Sequence, residues 1–171
     1  MAIESALLGL IALEPRHGYD LAREFAPDTV LGDIVRLELG MLYSHLKRLE
    51  TDGYITATIE SQAARPPRKI FQLTPAGRLE LERWLGEPVA HTRDLRLEFL
   101  MKLYVARRYD ASRANHLIVE QHARCEGFVV SLTEQLAAEG DEFHRLVLEM
   151  RLAQNQAVLT WLERARREIV V

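Results

Sequence analysis

The chain has 171 residues, a formal net charge of −3, and 48% hydrophobic against 27% charged residues, the balance of an ordinary globular protein of one domain or two small ones. No apolar run approaches the roughly 18 residues of a membrane span, and a single cysteine, Cys125, leaves no disulfide within the chain. The start, Met1-Ala2-Ile3-Glu4-Ser5, lacks the basic region of a signal peptide, so the expected compartment is the cytoplasm. Residues 3–13 read as an apolar helix with Ala6, Leu7, Leu10 and Ile11 on one face, broken at Glu14-Pro15-Arg16. Residues 17–25 read as a second helix, ended by Pro27. Residues 28–37 are ambiguous, with Ile34-Val35-Arg36 open as a short third strand of a small sheet.

The next segment, residues 40–51, is the most informative. At helical spacing Leu39, Leu42, Leu46 and Leu49 line one side, while Gly40, Ser44, Lys47, Arg48 and Thr51 lie opposite, flanked by Met41 and Tyr43. An ordinary surface helix shows water long charged pairs. This one shows small, hydroxyl and basic groups with no carboxylate before Glu50, which suits a helix that approaches the polyanionic edge of a DNA groove. Gly53 stops it, and a β-branched and aromatic run, residues 54–59, fits a strand. A loop is expected over residues 60–67, including Arg65 and Pro66-Pro67, then a second strand over residues 68–73. Thr74-Pro75, a cap followed by proline in the first helical position, opens another helix to about Trp84. Helix, two-stranded ribbon and helix make the second half of a winged helix-turn-helix. Between Ser61 and Leu79 the charged residues are Arg65, Arg68, Lys69 and Arg78, without an acid, as a phosphate-contacting wing requires.

These segments resemble a known family. The runs LLGLIALEPRHGYDLAREF, GMLYSHLKRLETDGYI, RKIFQLTPAGRLELERWL and RLEFLMKLYVAR are similar to the successive motifs of PadR-type bacterial transcriptional regulators, in the same order and over most of the chain. The resemblance implies that His17-Gly18-Tyr19 opens the helix before the recognition helix, that Leu42-Tyr43 and Leu46 anchor the recognition helix, and that Leu73 to Gly77 closes the wing. It also implies a homodimer and, in some members, relief of repression by phenolic acids or planar drugs. Two departures fall at the DNA-facing start of the recognition helix. Glu38 stands where a Ser or Thr cap is usual, and Met41 and Ser44 stand where Thr and Pro usually flank Leu42-Tyr43, so the operator sequence does not carry over.

Gly86-Glu87-Pro88 marks the expected boundary between residues 1–86, a winged helix-turn-helix, and residues 87–171, which read as helices only. Leu95, Leu97, Phe99, Leu100, Leu103 and Tyr104 load one helix; Asp110 or Ser112 can cap the next; Gly140-Asp141 separates it from the last. Long helices joined by short turns pack antiparallel. The last helix carries Leu146, Val147, Met150, Leu152, Ala153, Val158, Leu159 and Trp161 on more than one stripe, more apolar surface than one side needs, which predicts burial by a second copy.

Charge is the countervailing observation. Lys and Arg number ten against twelve acids up to Gly86 and twelve against thirteen beyond it, so any DNA-binding field is local. A winged-helix protein-interaction module without sequence-specific DNA binding is therefore the alternative. Enzyme chemistry finds little support. Cys125 and His122 share a helix side, but no third orienting group or glycine-rich oxyanion turn accompanies them. His116 and Glu120 stand at i, i+4 without the second helical His of a metal site. No metal or cofactor is expected.

The expected fold is mainly α with a small β-wing, a winged helix-turn-helix followed by an antiparallel helical region. The expected function is a homodimeric, ligand-responsive repressor on a palindromic operator. Its DNA contacts are expected from Met41, Tyr43, Ser44, Lys47, Arg48, Arg65, Arg68 and Lys69. Trp84, Phe99, Tyr104 and Trp161 are the candidates for a small aromatic effector.

Overall fold

The computed structural model describes residues 2–62 and 65–169, with side chains described throughout except over residues 61–67. Helix α1, Ala2–Leu13, is apolar all round and buried from Glu4 to Ile11. Strand β1, Arg16–His17, leads into α2, Gly18–Arg23, and α3, Val30–Ile34. Thr29 caps α3, its hydroxyl accepting from Gly32 N at 3.0 Å. The recognition helix α4, Leu39–Thr51, follows, then β2, Ile55–Gln62, β3, Arg65–Leu73, and α5, Pro75–Gly86. Gly53 turns the chain from α4 into β2 at φ 76°, a left-handed conformation that side chains with a Cβ disfavour. Thr74 caps α5 as its sequence predicts, accepting from Gly77 N at 3.0 Å and donating to Gly53 O at 2.7 Å.

The sheet is antiparallel, in the order β1-β3-β2. Its third strand is not residues 34–36. Arg16 and His17 fill that place, opposite Phe71 and Ile70, because residues 30–34 close a capped helical turn instead. The hairpin is also longer than expected. Pairing continues through Glu60↔Arg68 to Gln62↔Arg65, with an irregularity between Glu60 and Gln62, so strand replaces most of the loop expected over residues 60–67. Adjacent strand residues turn their N–H groups to opposite edges, so one of Pro66 and Pro67 faces the edge that β1 leaves uncovered, and the other falls at the irregularity between Glu60 and Gln62 where the ladder is already broken.

Beyond Gly86 the chain makes a 3₁₀ turn at Thr92–Asp94 and a π-helical turn at Leu95–Phe99. Helices α6, Leu100–Tyr109, α7, Ala111–Ala138, and α8, Glu142–Ile169, complete it. Asp110 caps α7, accepting from Ser112 N at 2.8 Å, and α7 and α8 form a long antiparallel hairpin. One apolar cluster runs without a break from α1 through the sheet and α5 into α6, α7 and α8.

Glu24, just past α2, ties the two ends of this cluster together. It accepts from Arg16 at 2.5 Å, from the Tyr104 hydroxyl at 2.8 Å and from Arg108 at 3.0 Å. Burial opposes its charge, but these hydrogen bonds and the neighbouring Arg108 charge outweigh burial and hold its carboxyl below the usual range. A carboxyl lowered on folding adds stability above its unfolded value, near 4.3, and that stability is lost as pH falls through the lower folded value. Glu24→Gln should therefore cost about 2–4 kcal/mol in urea unfolding at neutral pH. It should also flatten the acid limb of the stability–pH profile; an unchanged acid limb would show that Glu24 does not carry it.

Candidate nucleic-acid interface

The recognition helix is held by three leucines. Leu42, Leu46 and Leu49 are buried, while Leu39, expected on the same line, is 51% exposed because it opens the first turn, beyond the reach of the body. The opposite side presents Met41, Tyr43, Ser44, Lys47 and Arg48, all exposed. Ser44 Oγ donates to Gly40 O at 2.9 Å and Thr51 Oγ1 to Lys47 O at 2.9 Å, so each hydroxyl keeps acceptor capacity facing outward.

The cations differ in how free they are. Among the described residues Lys47 has no carboxylate within ion-pair distance. Arg48 lies 3.3 Å from Glu4 and 3.7 Å from Asp52, and Glu4 also meets His45 Nδ1 at 3.3 Å, which ties that flank of α4 to α1. On the wing, Lys69 reaches Glu50 at 3.2 Å, and Arg68 is exposed opposite Glu60 across the ladder. The backbone of Arg65 belongs to β3; its side chain lies outside the described residues. Arg78 turns away from this face, donating to the Tyr109 hydroxyl at 3.2 Å.

The helix face and the wing meet at a recess of about 420 Å³ lined by His17, Tyr19, Tyr43, Arg68, Lys69 and Phe71, with Gly18 at its back. Tyr43 lies over Gly18: a Cβ at this position would sit 2.7 Å from Tyr43 Cε1 and 3.0 Å from its hydroxyl oxygen, so a larger residue there would displace the exposed ring. The His17-Gly18-Tyr19 and Leu42-Tyr43 segments, far apart in sequence, are thus two sides of one contact. Sequence reasoning missed His17 and Tyr19 as members of this face; the joint occurrence of the two segments was the available signal.

Away from this face, a groove of about 930 Å³ opens between the π-helical turn and the α7–α8 hairpin, lined among others by Phe99, Phe128, Leu132, Arg96, Arg151 and Trp161. Phe99 and Trp161 meet edge to face at 6.1 Å. Trp84 and Tyr104 do not line it. Trp84 is buried under Lys102 with its Nε1 donating to Glu98 at 3.0 Å, and Tyr104 serves Glu24. Cys125 is buried and burial pushes its thiol up, away from the thiolate a nucleophile needs. His122 faces Glu126 and Glu163 rather than the thiol.

Residues 7–83 match the Transcriptional regulator PadR-like family, and residues 95–169 match the family described as Virulence activator alpha C-term. Residues 7–83 thus carry a PadR-like transcriptional regulator domain. It is 27% identical over 174 residues to the Negative transcriptional regulator PadR of Bacillus subtilis (strain 168), covering 94% of this chain and 93% of that protein. It also superposes on the crystal structure of Bacillus subtilis PadR in complex with operator DNA with a TM-score of 0.50 at 26% identity, covering 99% of each chain. The PadR-like match runs from α1 to α5, the part of the chain that carries the exposed face of α4 and the wing.

Two outcomes follow. Lys47→Ala and Ser44→Ala should change sequence preference at one or two positions at a cost of about 1–3 kcal/mol on the preferred duplex. Arg68→Ala should weaken all duplexes alike and lower the slope of log affinity against log salt by about 0.9. Binding isotherms on preferred and scrambled duplexes at several salt concentrations separate the two. Cys125→Ser should leave DNA affinity in reducing buffer unchanged, and loss of binding by the parent alone under mild oxidant would instead reveal a redox-sensing thiol.

Proposed function

We propose that the protein is a homodimeric, ligand-responsive repressor that acts in the cytoplasm on a palindromic operator. In this account residues 1–86 bind DNA and residues 87–171 dimerise and sense. The observation that carries it is the outward face of α4: exposed Met41, Tyr43, Ser44 and Lys47 with no carboxylate before Glu50, beside the exposed wing cations Arg68 and Lys69. Such a face suits a helix in the major groove with a wing on the backbone. Arg48, already engaged with Glu4 and Asp52, holds the helix and reaches phosphate from its edge. Repression accords with the negative regulator that the chain resembles over nearly its whole length.

Dimerisation is supported by the surface of α8. Phe143, Leu146, Val147 and Met150 follow the i, i+3, i+4, i+7 spacing of one helix face and are 74%, 58%, 39% and 60% exposed. A contiguous apolar stripe of that kind on a soluble protein marks an interaction surface, and a two-fold pair of winged helices matches two operator half-sites. The groove beside Phe99 and Trp161 is the place for an effector. Its aromatic wall accepts a flat apolar body, and Arg96 and Arg151 line the same groove.

The test uses the full chain. Sedimentation of the parent should give a dimer, and Phe143→Glu with Met150→Glu should give a folded monomer with operator affinity reduced at least about tenfold, since one half-site contact replaces two. A double variant that remains a dimer would place the interface elsewhere. A parent protein that binds no duplex selected from a random pool would return the molecule to the protein-interaction alternative.

A further inference from the structure

The recess between α2, the recognition helix and the wing is more closely organised than an exposed basic patch. His17 Nδ1 lies 3.3 Å from the carbonyl oxygen of Lys69. A carbonyl only accepts, so this nitrogen carries the proton of the neutral ring. Nε2 then carries a proton only in the imidazolium, and it faces Glu60 Oε2 at 3.6 Å. Lys69 Nζ is likewise held by Glu50 at 3.2 Å. The lining itself, His17, Tyr19, Tyr43, Arg68, Lys69 and Phe71, contains no carboxylate; Glu50 reaches Lys69 and Glu60 the His17 ring from the rim. Both rim carboxylates are well exposed, at 36% and 49%, so they exchange for another anion without desolvating a buried charge. Tyr43, fixed against Gly18, brings a hydroxyl donor to the same space. Cations, an imidazole able to donate through Nε2, and a phenol around an opening flush with the DNA-facing side match the two unesterified oxygens of a phosphodiester.

We propose that this recess seats one backbone phosphodiester of the bound DNA in each protomer, the phosphate taking the place of Glu60 beside His17 Nε2 and of Glu50 beside Lys69 and fixing a second proton on His17. The proposal rests on the DNA-binding reading above and adds to it a built phosphate site, a residue outside the helix face and wing, and a proton taken up on binding. The groups facing His17 are Glu60 from β2, Arg68 and Lys69 from β3, Tyr43 from α4 and Tyr19 from α2. Of these residue types histidine alone ordinarily changes charge between about pH 6 and about pH 8. His45, the other histidine on α4, faces Glu4 and the body of the protein and serves as the control.

The experiment measures binding of the full-length protein to a duplex selected from a random pool, at fixed salt between about pH 6 and about pH 8. Parent affinity should rise as pH falls, with a slope of up to about one proton per seat. His17→Gln, whose amide can still donate to the Lys69 carbonyl, should lose the slope, and His45→Gln should keep it. Glu60→Gln should tighten binding about three- to tenfold near pH 8 by removing the competing carboxylate. A duplex series with one phosphate at a time made neutral as a methylphosphonate should reveal one position per half-site that weakens the parent and leaves His17→Gln indifferent. The seat is overturned if the parent binds DNA but its pH slope is absent or survives His17→Gln. It is overturned equally if no neutralised phosphate distinguishes the parent from His17→Gln, or if Glu60→Gln weakens binding. A parent that binds no duplex at any pH removes the DNA-binding reading and the seat together, an outcome distinct from all of these.

Discussion

Everything in this molecule is arranged around α1. A helix that is apolar on all sides has to be covered on all sides, and α1 is covered by α4, α5, α6 and β3. The recognition helix has no other broad support: its three buried leucines give it one narrow apolar stripe, and that stripe faces the body through α1 and α2. The constraint runs both ways. Because α6 lies on another side of the same helix, the C-terminal half and the DNA-facing half share one packed element rather than a linker. Close-packed interiors transmit displacement instead of absorbing it.

Electrostatics explains how a chain of net charge −3 presents a locally cationic face. The carboxylates that cancel its cations are not spread at random. Glu50 holds Lys69, Glu60 faces the His17 ring, Glu4 and Asp52 hold Arg48, and Glu24 gathers Arg16 and Arg108 on the far side of α2 from Tyr43. Pairs between exposed groups contribute little stability and yield readily to a better anion. Thus overall charge is a poor guide to the local field: the acids on the rim of the recess are exposed, while Glu24, half-buried and bonded from three side chains, is structural.

The elements whose local chemistry is self-sufficient were legible in the sequence: the amphipathic α4, the Thr74-Pro75 start of α5, the Asp110 cap of α7 and the break near Gly140 all carry their causes within a few residues. Elements that depend on a distant partner were not. Arg16-His17 is a strand only because Phe71 and Ile70 lie opposite it, and the hairpin reaches Gln62 and Arg65 only because each strand supplies the other's hydrogen-bond partners. The same division holds at the site. Exposure of Met41, Tyr43, Ser44 and Lys47 follows from helical spacing, whereas the place of His17 beside Lys69 comes from strand register across a separation of 52 residues. Trp84 and Tyr104 show the limit of aromatic content as a signal: both rings are occupied by structural partners, and only contact geometry separates them from Phe99 and Trp161.

That geometry also gives the groove and the recognition helix a continuous physical connection. The groove is walled by Leu95 and Phe99 of the π-helical turn, which runs directly into α6. One helical residue pair further along, Tyr104 and Arg108 leave α6 to hold Glu24 at the end of α2, and Arg108 also bonds the Tyr104 hydroxyl at 2.6 Å. From α2 the chain of contact passes through Gly18 to the Tyr43 ring on the DNA-facing side. A π turn carries one residue more than an α turn in its hydrogen-bonded ring, and such turns are rare, and frequent at functional sites. Here the turn sits between a groove wide enough for a small molecule and a half-buried ion cluster that fixes α2. The groove and the recognition helix are therefore joined by two chains of contact: through the packing of α6 on α1, and through the Glu24 cluster to Gly18 and Tyr43. The first chain of contact ends on the buried leucines of α4 and the second on the Tyr43 ring opposite them, so the helix is held from both sides.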